Sequence, residues 1–229
     1  MGAFRGFTEQ TIRFLHNVRE HQSKEWFERN RPVYERELLE PMRDLVADLS
    51  GTMLTIDPQL ETRPAVGKTI SRIHRDTRFS RDRSPYRDAM WITFKRRSER
   101  TDGPAFFFEL RTDGYRYGMG FYSASKATMD KLREWIDEET DDFRRTTAFY
   151  ERQNSFVIEG ERYKRVLDPD KPVSVLEWYQ RKNIYLVCNR EIDGLLFSPK
   201  LAEEMATGFE MLGDLYHAFR KLGMRAAGV

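Results

Sequence analysis

Apolar residues recur every three or four positions through the first fifty residues, which is the spacing of amphipathic helices. Helix starts are predicted at Thr8 and Ser23, which are N-cap residue types, and at Pro32 and Pro41, because proline suits the first turn. Gly51 is predicted to close the fourth helix. The pattern therefore indicates an N-terminal helical part at about 8–53.

A period of two replaces the helical period after residue 88. The strands predicted from this alternation are 89–97, 104–111 and 115–122. Thr112-Asp113-Gly114 is a turn sequence between the second and third of them. Consecutive strands joined by short turns indicate an antiparallel meander and argue against a series of βαβ units.

The remaining chain mixes both periods. Helices are predicted at 125–137, around 143–152 and in a short segment that ends at Tyr179. The predicted strands are a hairpin at 155–165 that turns at Glu159-Gly160, and a buried strand at 183–188. A last helix follows Ser198-Pro199 at about 199–222. We therefore expect a single α+β domain over residues 1–229, with helices packed on one face of a mainly antiparallel sheet at about 69–190.

Composition narrows the classes of protein that fit this pattern. The chain has 229 residues, 39 of them basic and 37 acidic, so its formal net charge is only +2. That balance argues against a nucleic acid partner and against binding to a membrane surface through net charge. Any basic patch must therefore be local. The single cysteine, Cys188, excludes an internal disulfide and a zinc site built mainly from cysteines. The sequence shows no apolar run long enough for a signal peptide or a membrane span, and we expect a cytoplasmic protein.

One segment, residues 72–87, differs from the rest and is called the arginine segment below. It holds six arginines and one histidine in sixteen positions, opposed only by Asp76 and Asp82. Guanidinium groups are always charged, and their planar forks match phosphate or carboxylate oxygens two at a time. The segment is therefore the predicted ligand site, and its candidate ligand-binding residues are Arg72, Arg75, Arg78, Arg81, Arg83, Tyr86 and Arg87.

Three interpretations of the arginine segment stay open at this point. It is a structural loop whose arginines pair with Asp76 and Asp82, or a site for a phosphorylated or otherwise anionic small molecule, or a docking loop for protein or nucleic acid. In the second case His74 and Asp76 are the candidate catalytic residues, because histidine titrates near neutral pH and a carboxylate can orient it. Whether the chain is an enzyme, and its oligomeric state, are left open.

The arginine segment also carries a family resemblance. Its pattern is R-I-x-R-D-x-R-F-S-x-D-x-x-P-Y, and Lys24-Glu25-Trp26-Phe27 stands upstream of it. The two motifs together resemble the bacterial and fungal family called domain of unknown function 2461, over about Phe7 to Gly223. Arg83 and Arg87 stand where many relatives are expected to have lysine, which keeps the charge and alters the hydrogen-bond geometry. The resemblance implies no activity, cofactor or catalytic residue.

No cofactor or metal is predicted. The four histidines lack metal-ligand spacing. Gly67-Lys68-Thr69 matches the end of a phosphate-binding loop, but Thr62 stands where that motif needs its first glycine.

Overall fold

The computed structural model describes residues 3–78, 82–97 and 103–228. The N-terminal part is helical, with α1 at Glu9–Glu20 and α2 at Lys24–Tyr34. Both predicted N-caps are confirmed: Thr8 Oγ1 accepts a hydrogen bond from the Thr11 backbone N–H (3.2 Å), and Ser23 Oγ accepts one from Trp26 (3.2 Å). These bonds satisfy N–H groups that the helix itself leaves without a partner.

The predictions that Pro32 starts a helix and that Gly51 ends one are wrong. Pro32 lies inside α2, which continues through a π-helical turn at Glu35–Leu39 into α3 at Glu40–Ile56. Leu49 and Met53, on either side of Gly51, are completely buried. Their burial outweighs the helix penalty of glycine, about 1 kcal/mol relative to alanine. Burial along the apolar stripe, and not local propensity, decides where this helix ends.

Over the residues that the structure describes, the sheet has five strands in the order β1-β2-β3-β5-β4. Their bounds are β1 Met90–Phe94, β2 Ala105–Leu110, β3 Gly114–Gly120, β4 Val157–Glu159 and β5 Tyr185–Glu191. The first three strands are neighbours in chain order, as the predicted meander requires. The predicted fold class, a single α+β domain with an antiparallel sheet, is confirmed.

The hairpin predicted at 155–165 is wrong. β4 pairs with β5 instead, with Val157 opposite Val187 and Glu159 opposite Tyr185. Gly160 does have the left-handed φ of a turn glycine, +127°, and its backbone approaches the carbonyl of Asn183 closely. The local turn signal was therefore genuine, but a turn residue does not determine which strand becomes the partner.

Further helices follow the meander along the described chain. They are α4 Lys126–Glu138, α5 Thr140–Thr147, a 3₁₀ turn Tyr150–Arg152, α6 Val173–Tyr179, α7 Lys200–Met211 and α8 Gly213–Ala227. The single C-terminal helix predicted at 199–222 is therefore two helices, which separate at Leu212. Phe209, Leu212 and Leu215 are fully buried, so the hydrophobic period runs through the break and conceals it.

Backbone contacts group the chain into two compact units. The first contains Met1–Phe94, Phe107–Tyr117 and Asn189–Thr207, and the second contains Lys95–Phe106, Gly118–Cys188 and Gly208–Val229. The first unit has a core in which Phe7 stacks on Phe108 at 5.7 Å. In the second, Phe121 stacks on Phe219 at 5.1 Å. None of the helices in the described residues is long and apolar enough to cross a membrane.

Candidate functional site

The two ends of the arginine segment pair with each other. The Arg75 backbone N–H donates to the Pro85 carbonyl, and the Arg87 N–H donates to the Ile73 carbonyl, both at 2.8 Å. His74 and Tyr86 are thereby opposite each other in an antiparallel bridge. Ile73 and Tyr86 are each only 3% exposed and anchor the two ends. The two ends of the segment are therefore held together by strand-like pairing, and its described residues belong to the first compact unit.

A bulge follows this pairing. Ile70 lies opposite Ile92 of β1, so residues 71–73 on one side face the longer stretch 87–91 on the other. Three residues lie between the two bridges on the first side and five on the second, so the second side carries two extra residues. Bulges of this kind bend a strand and redirect its side chains, and they are frequent next to functional sites. Arg87, whose N–H is bonded to the Ile73 carbonyl, is the last regularly paired residue before the bulge.

One face of the paired ends is aromatic. Phe27 stacks on Tyr86 with ring centroids 4.4 Å apart and planes 17° apart. His74 lies against both rings, at 5.5 Å from Phe27 and 5.1 Å from Tyr86. Gln22 Oε1 accepts the Tyr86 backbone N–H at 3.0 Å. The Lys24–Phe27 block and the arginine segment, separate in sequence, are thus in direct contact.

The two acidic residues of the segment are occupied by its own groups. Asp76 accepts hydrogen bonds from the Arg78 side chain (3.0 and 2.7 Å) and backbone (3.1 Å). These bonds lower the pKa of Asp76 from 3.8 to about 2. Asp82 accepts the Ser84 backbone N–H at 2.9 Å and Arg75 Nη1 at 2.5 Å. Arg78, and Arg75 through its Nη1, therefore have the carboxylate partners expected of a structural ion-pair network.

The opposite face of the paired ends is basic. Because side chains alternate across a strand, Arg75 and Arg87 point away from the face that carries His74 and Tyr86. The guanidinium carbon of Arg87 lies 4.8 Å from the centroid of the Trp91 ring. The Nε atoms of Arg75 and Arg87 are both buried and have no hydrogen-bond partner among the described residues. A buried N–H left without an acceptor costs about 1–3 kcal/mol, so this arrangement needs an explanation.

Arg72 is exposed and, two positions before His74, alternates onto the side of His74. Its guanidinium packs against the backbone of Gly67, with Nη2 3.7 Å from the place where a β-carbon would stand. Gly67 has a φ of +78°, so a side chain there would be strained as well. No carboxylate in the described ranges forms an ion pair with Arg72 or Arg87.

Arg19 of α1 holds the bulge in place. Its Nε donates to Asp88 Oδ2 at 2.7 Å, and its Nη2 donates to the hydroxyl of Thr112. Sequence reasoning did not find Arg19, Gln22 or Trp91. Arg19 and Trp91 are ordinary residues of a helix and a strand, and Gln22 lies between α1 and α2. Arg19 is 69 positions from Asp88, so no local pattern marks their contact.

The other predicted site residues have different surroundings. Arg83 donates to the Thr77 carbonyl at 3.0 Å, and Arg81 lies outside the described residues. No hydrogen bond links His74 to Asp76 within the described part of the chain, and the low pKa of Asp76 makes it a weak base at neutral pH. The same described residues contain no group of histidine, cysteine and acidic side chains that could hold a metal ion.

Comparison with known proteins agrees with the resemblance found in the sequence. A family model described as "Conserved hypothetical protein (DUF2461)" matches residues 10–217, a range that contains the Lys24–Phe27 block, the arginine segment and Trp91. No curated protein gives a significant match to the chain. Since the family model covers most of its length, the chain belongs to the family called domain of unknown function 2461.

Proposed function

We propose that this protein binds a small molecule through a phosphate or carboxylate group, on the face formed by Arg75 and Arg87. One observation carries the proposal. The Nε–H groups of Arg75 and Arg87 are buried without an acceptor among the described residues, while the nearby carboxylates of Asp76 and Asp82 are bound by Arg78, Arg75 and Ser84. An oxyanion between the two arginines would supply the missing acceptors.

The chemistry of the two side chains suits an oxyanion. A guanidinium presents two parallel N–H groups to a phosphate or carboxylate, and charge-assisted bonds of this type are about twice as strong as neutral ones. The Trp91 ring restricts Arg87 by stacking on it, so less side-chain freedom is lost when a ligand binds. Arg75 is similarly restrained, because its Nη1 is already bonded to Asp82.

The proposal extends to binding and assigns no catalytic step. His74 points to the aromatic face, opposite the side of the pairing that carries Arg75 and Arg87. Asp76 is held by Arg78 and stays ionised down to about pH 2. The two candidate catalytic residues are therefore not arranged as a proton-transfer pair beside the anion.

The decisive variant is Arg87→Met, which keeps an apolar chain on Trp91 and removes the charge. Thermal shift and calorimetric titration with inorganic phosphate, pyrophosphate and succinate would compare it with the unmodified protein. We expect the affinity for the preferred anion to fall at least tenfold, which corresponds to about 1.4 kcal/mol. Without ligand, the melting temperature should change by no more than about 2–4 °C, since little more than a cation–π contact of about 0.5–1 kcal/mol is lost.

Arg43→Met, at an exposed arginine of α3, is the matched control and should leave binding unchanged. A large loss of stability in Arg87→Met, with no anion bound by the unmodified protein, would contradict the proposal. Arg87 would then be a structural residue.

A second candidate function is docking of an acidic segment from another protein. One observation favours it: the charged side chains of Arg72, Arg78 and Arg83 are exposed, so they can meet a larger partner at the protein surface. An octaglutamate peptide would separate the two functions. If the protein binds that peptide far more tightly than pyrophosphate, and Arg87→Met abolishes the binding, docking is favoured. If it binds pyrophosphate more tightly than the peptide, the small molecule is favoured.

A further inference from the structure

A separate cavity of about 340 Å³ lies in the second compact unit, between α8 on one side and α4 and α5 on the other. Its volume is at the lower end of the range for small-molecule sites, about 300–1,000 Å³. The indole of Trp135, only 3% exposed, forms part of its wall. The other residues that matter here are charged.

Most of these charges are paired with each other. Arg145 binds Asp142 at 2.5 Å, and Arg225 binds Glu139 at 2.7 Å. The Trp135 indole N–H also donates to Asp142, at 2.9 Å. The Trp135 hydrogen bond, and then the Arg145 pair, lower the pKa of Asp142, so its carboxylate is ionised and engaged at neutral pH. The paired groups form the walls of the cavity and offer little free charge to a ligand.

Two opposite charges in the cavity are unpaired. Asp214 and Lys221, both exposed, form no ion pair with any residue that the structure describes. They stand seven positions apart on α8, which is two helical turns, so they lie on one face of the helix. At about 1.5 Å of rise per residue, their backbones are about 10 Å apart along the helix axis. The cavity therefore has an acidic end and a basic end.

We propose that this cavity binds a short linear peptide, with its amino terminus at Asp214 and its carboxylate at Lys221. A chain extends by about 3.3–3.6 Å per residue, so three residues span a length equal to this backbone separation. This site is separate from the arginine segment, and the proposal does not depend on the one made above.

A structural role for each residue is the competing explanation. Asp214 is in the first turn of α8, where a negative charge interacts favourably with the helix dipole. Lys221 lies close enough to Asp142 to contribute to its lowered pKa. If Asp214 and Lys221 had only these structural roles, peptide binding would not depend on either terminal charge of the peptide. An experiment can therefore separate the structural roles from a binding site.

The probe is trialanine, titrated into the isotope-labelled full chain while backbone amide resonances are followed by NMR. We expect saturable shifts confined to the residues that line the cavity. N-acetyl-trialanine and trialanine amide, which each lack one terminal charge, should bind at least tenfold more weakly. Asp214→Asn should weaken the binding of trialanine and leave the binding of N-acetyl-trialanine unchanged. Lys221→Met should weaken the binding of trialanine and leave the binding of trialanine amide unchanged.

Asp170→Asn and Lys164→Met, at exposed positions of the same compact unit, are matched controls that should bind trialanine normally. The absence of saturable shifts would overturn the proposal. Equal binding of trialanine and both blocked peptides would overturn it as well, because the two charges would then have no role in recognition.

Discussion

At the scale of single residues, the arginine segment contains two kinds of arginine. Arg78 is bonded on both sides of its fork to Asp76, and its side chain is 77% exposed. Arg87 is stacked on Trp91 and has a buried Nε–H without an acceptor among the described residues. The first arrangement is the ion-pair network that one interpretation of the sequence expected. The second is what an anion site requires, and both occur within sixteen positions.

The titration of Asp76 tests the first arrangement. We expect its carboxyl pKa, followed by NMR, to be about 2 in the unmodified protein and to rise toward 3.8 in Arg78→Gln. Since the pKa is lowered in the folded state, the stabilisation by Asp76 is present above its unfolded pKa and is lost as the pH falls from about 3.8 through about 2. An unchanged pKa in Arg78→Gln would show that the pair does not form in solution.

At the scale of elements, α3 and β4 show how tertiary contacts override local signals. Gly51 is a typical helix-ending residue, yet α3 runs five residues past it to Ile56. β4 is an edge strand, and unpaired edges invite association with other chains. Here the buried Arg181 donates to the carbonyls of Ile158 and Gly160, both at 2.8 Å. The Tyr150 hydroxyl accepts the Ile158 N–H at 3.3 Å, so side chains occupy this edge.

Gly51→Ala should stabilise the protein. No atom lies within 4 Å of a β-carbon built at Gly51, and the residue is in the helix interior. Replacing an interior glycine of a helix by alanine gains about 0.5–1 kcal/mol. Chemical denaturation would measure the gain. Gly160→Ala is the contrasting variant, and it should destabilise because its φ is +127° and its β-carbon would collide with the Asn183 carbonyl. Equal effects of the two substitutions would contradict this account.

Arg181→Met should lower the free energy of unfolding by about 2–5 kcal/mol, because two buried carbonyl groups lose their donor. The freed strand edge should also promote self-association, which light scattering after size-exclusion chromatography would detect. Arg162→Met, at a half-exposed arginine that pairs with Glu177 at 3.6 Å, is the matched control. A loss no larger than that of the control would show that Arg181 is dispensable at this edge.

At the scale of the whole molecule, the charge is balanced overall and uneven locally. The net charge of +2 coexists with six arginines in the arginine segment. Among the described residues, carboxylates pair with part of this positive charge, while Arg72 and Arg87 form no ion pair. A local basic face on a nearly neutral protein favours recognition of a particular anionic group over general attraction to polyanions. Calorimetric comparison of phosphate with duplex DNA at two salt concentrations would test this preference.

The sequence by itself determined the family, the α+β class, the meander β1–β3 and the caps of α1 and α2. It also marked the arginine segment. These features depend on short-range causes, such as the alternation of side chains, the capping oxygens of Thr8 and Ser23, and a dense local motif. Such causes act within a few residues and are visible in a single sequence.

Only the tertiary structure decided the strand partner of β4, the continuation of α3 past Gly51 and the break at Leu212. It also decided the contacts of the arginine segment with Phe27, Trp91 and Arg19. Each of these features depends on contacts between residues far apart in the chain. Burial of apolar surface determines which residues meet, and the surroundings determine whether a buried donor finds an acceptor. The same holds for Arg75 and Arg87, because an unsatisfied N–H is a property of the surroundings and not of the residue type.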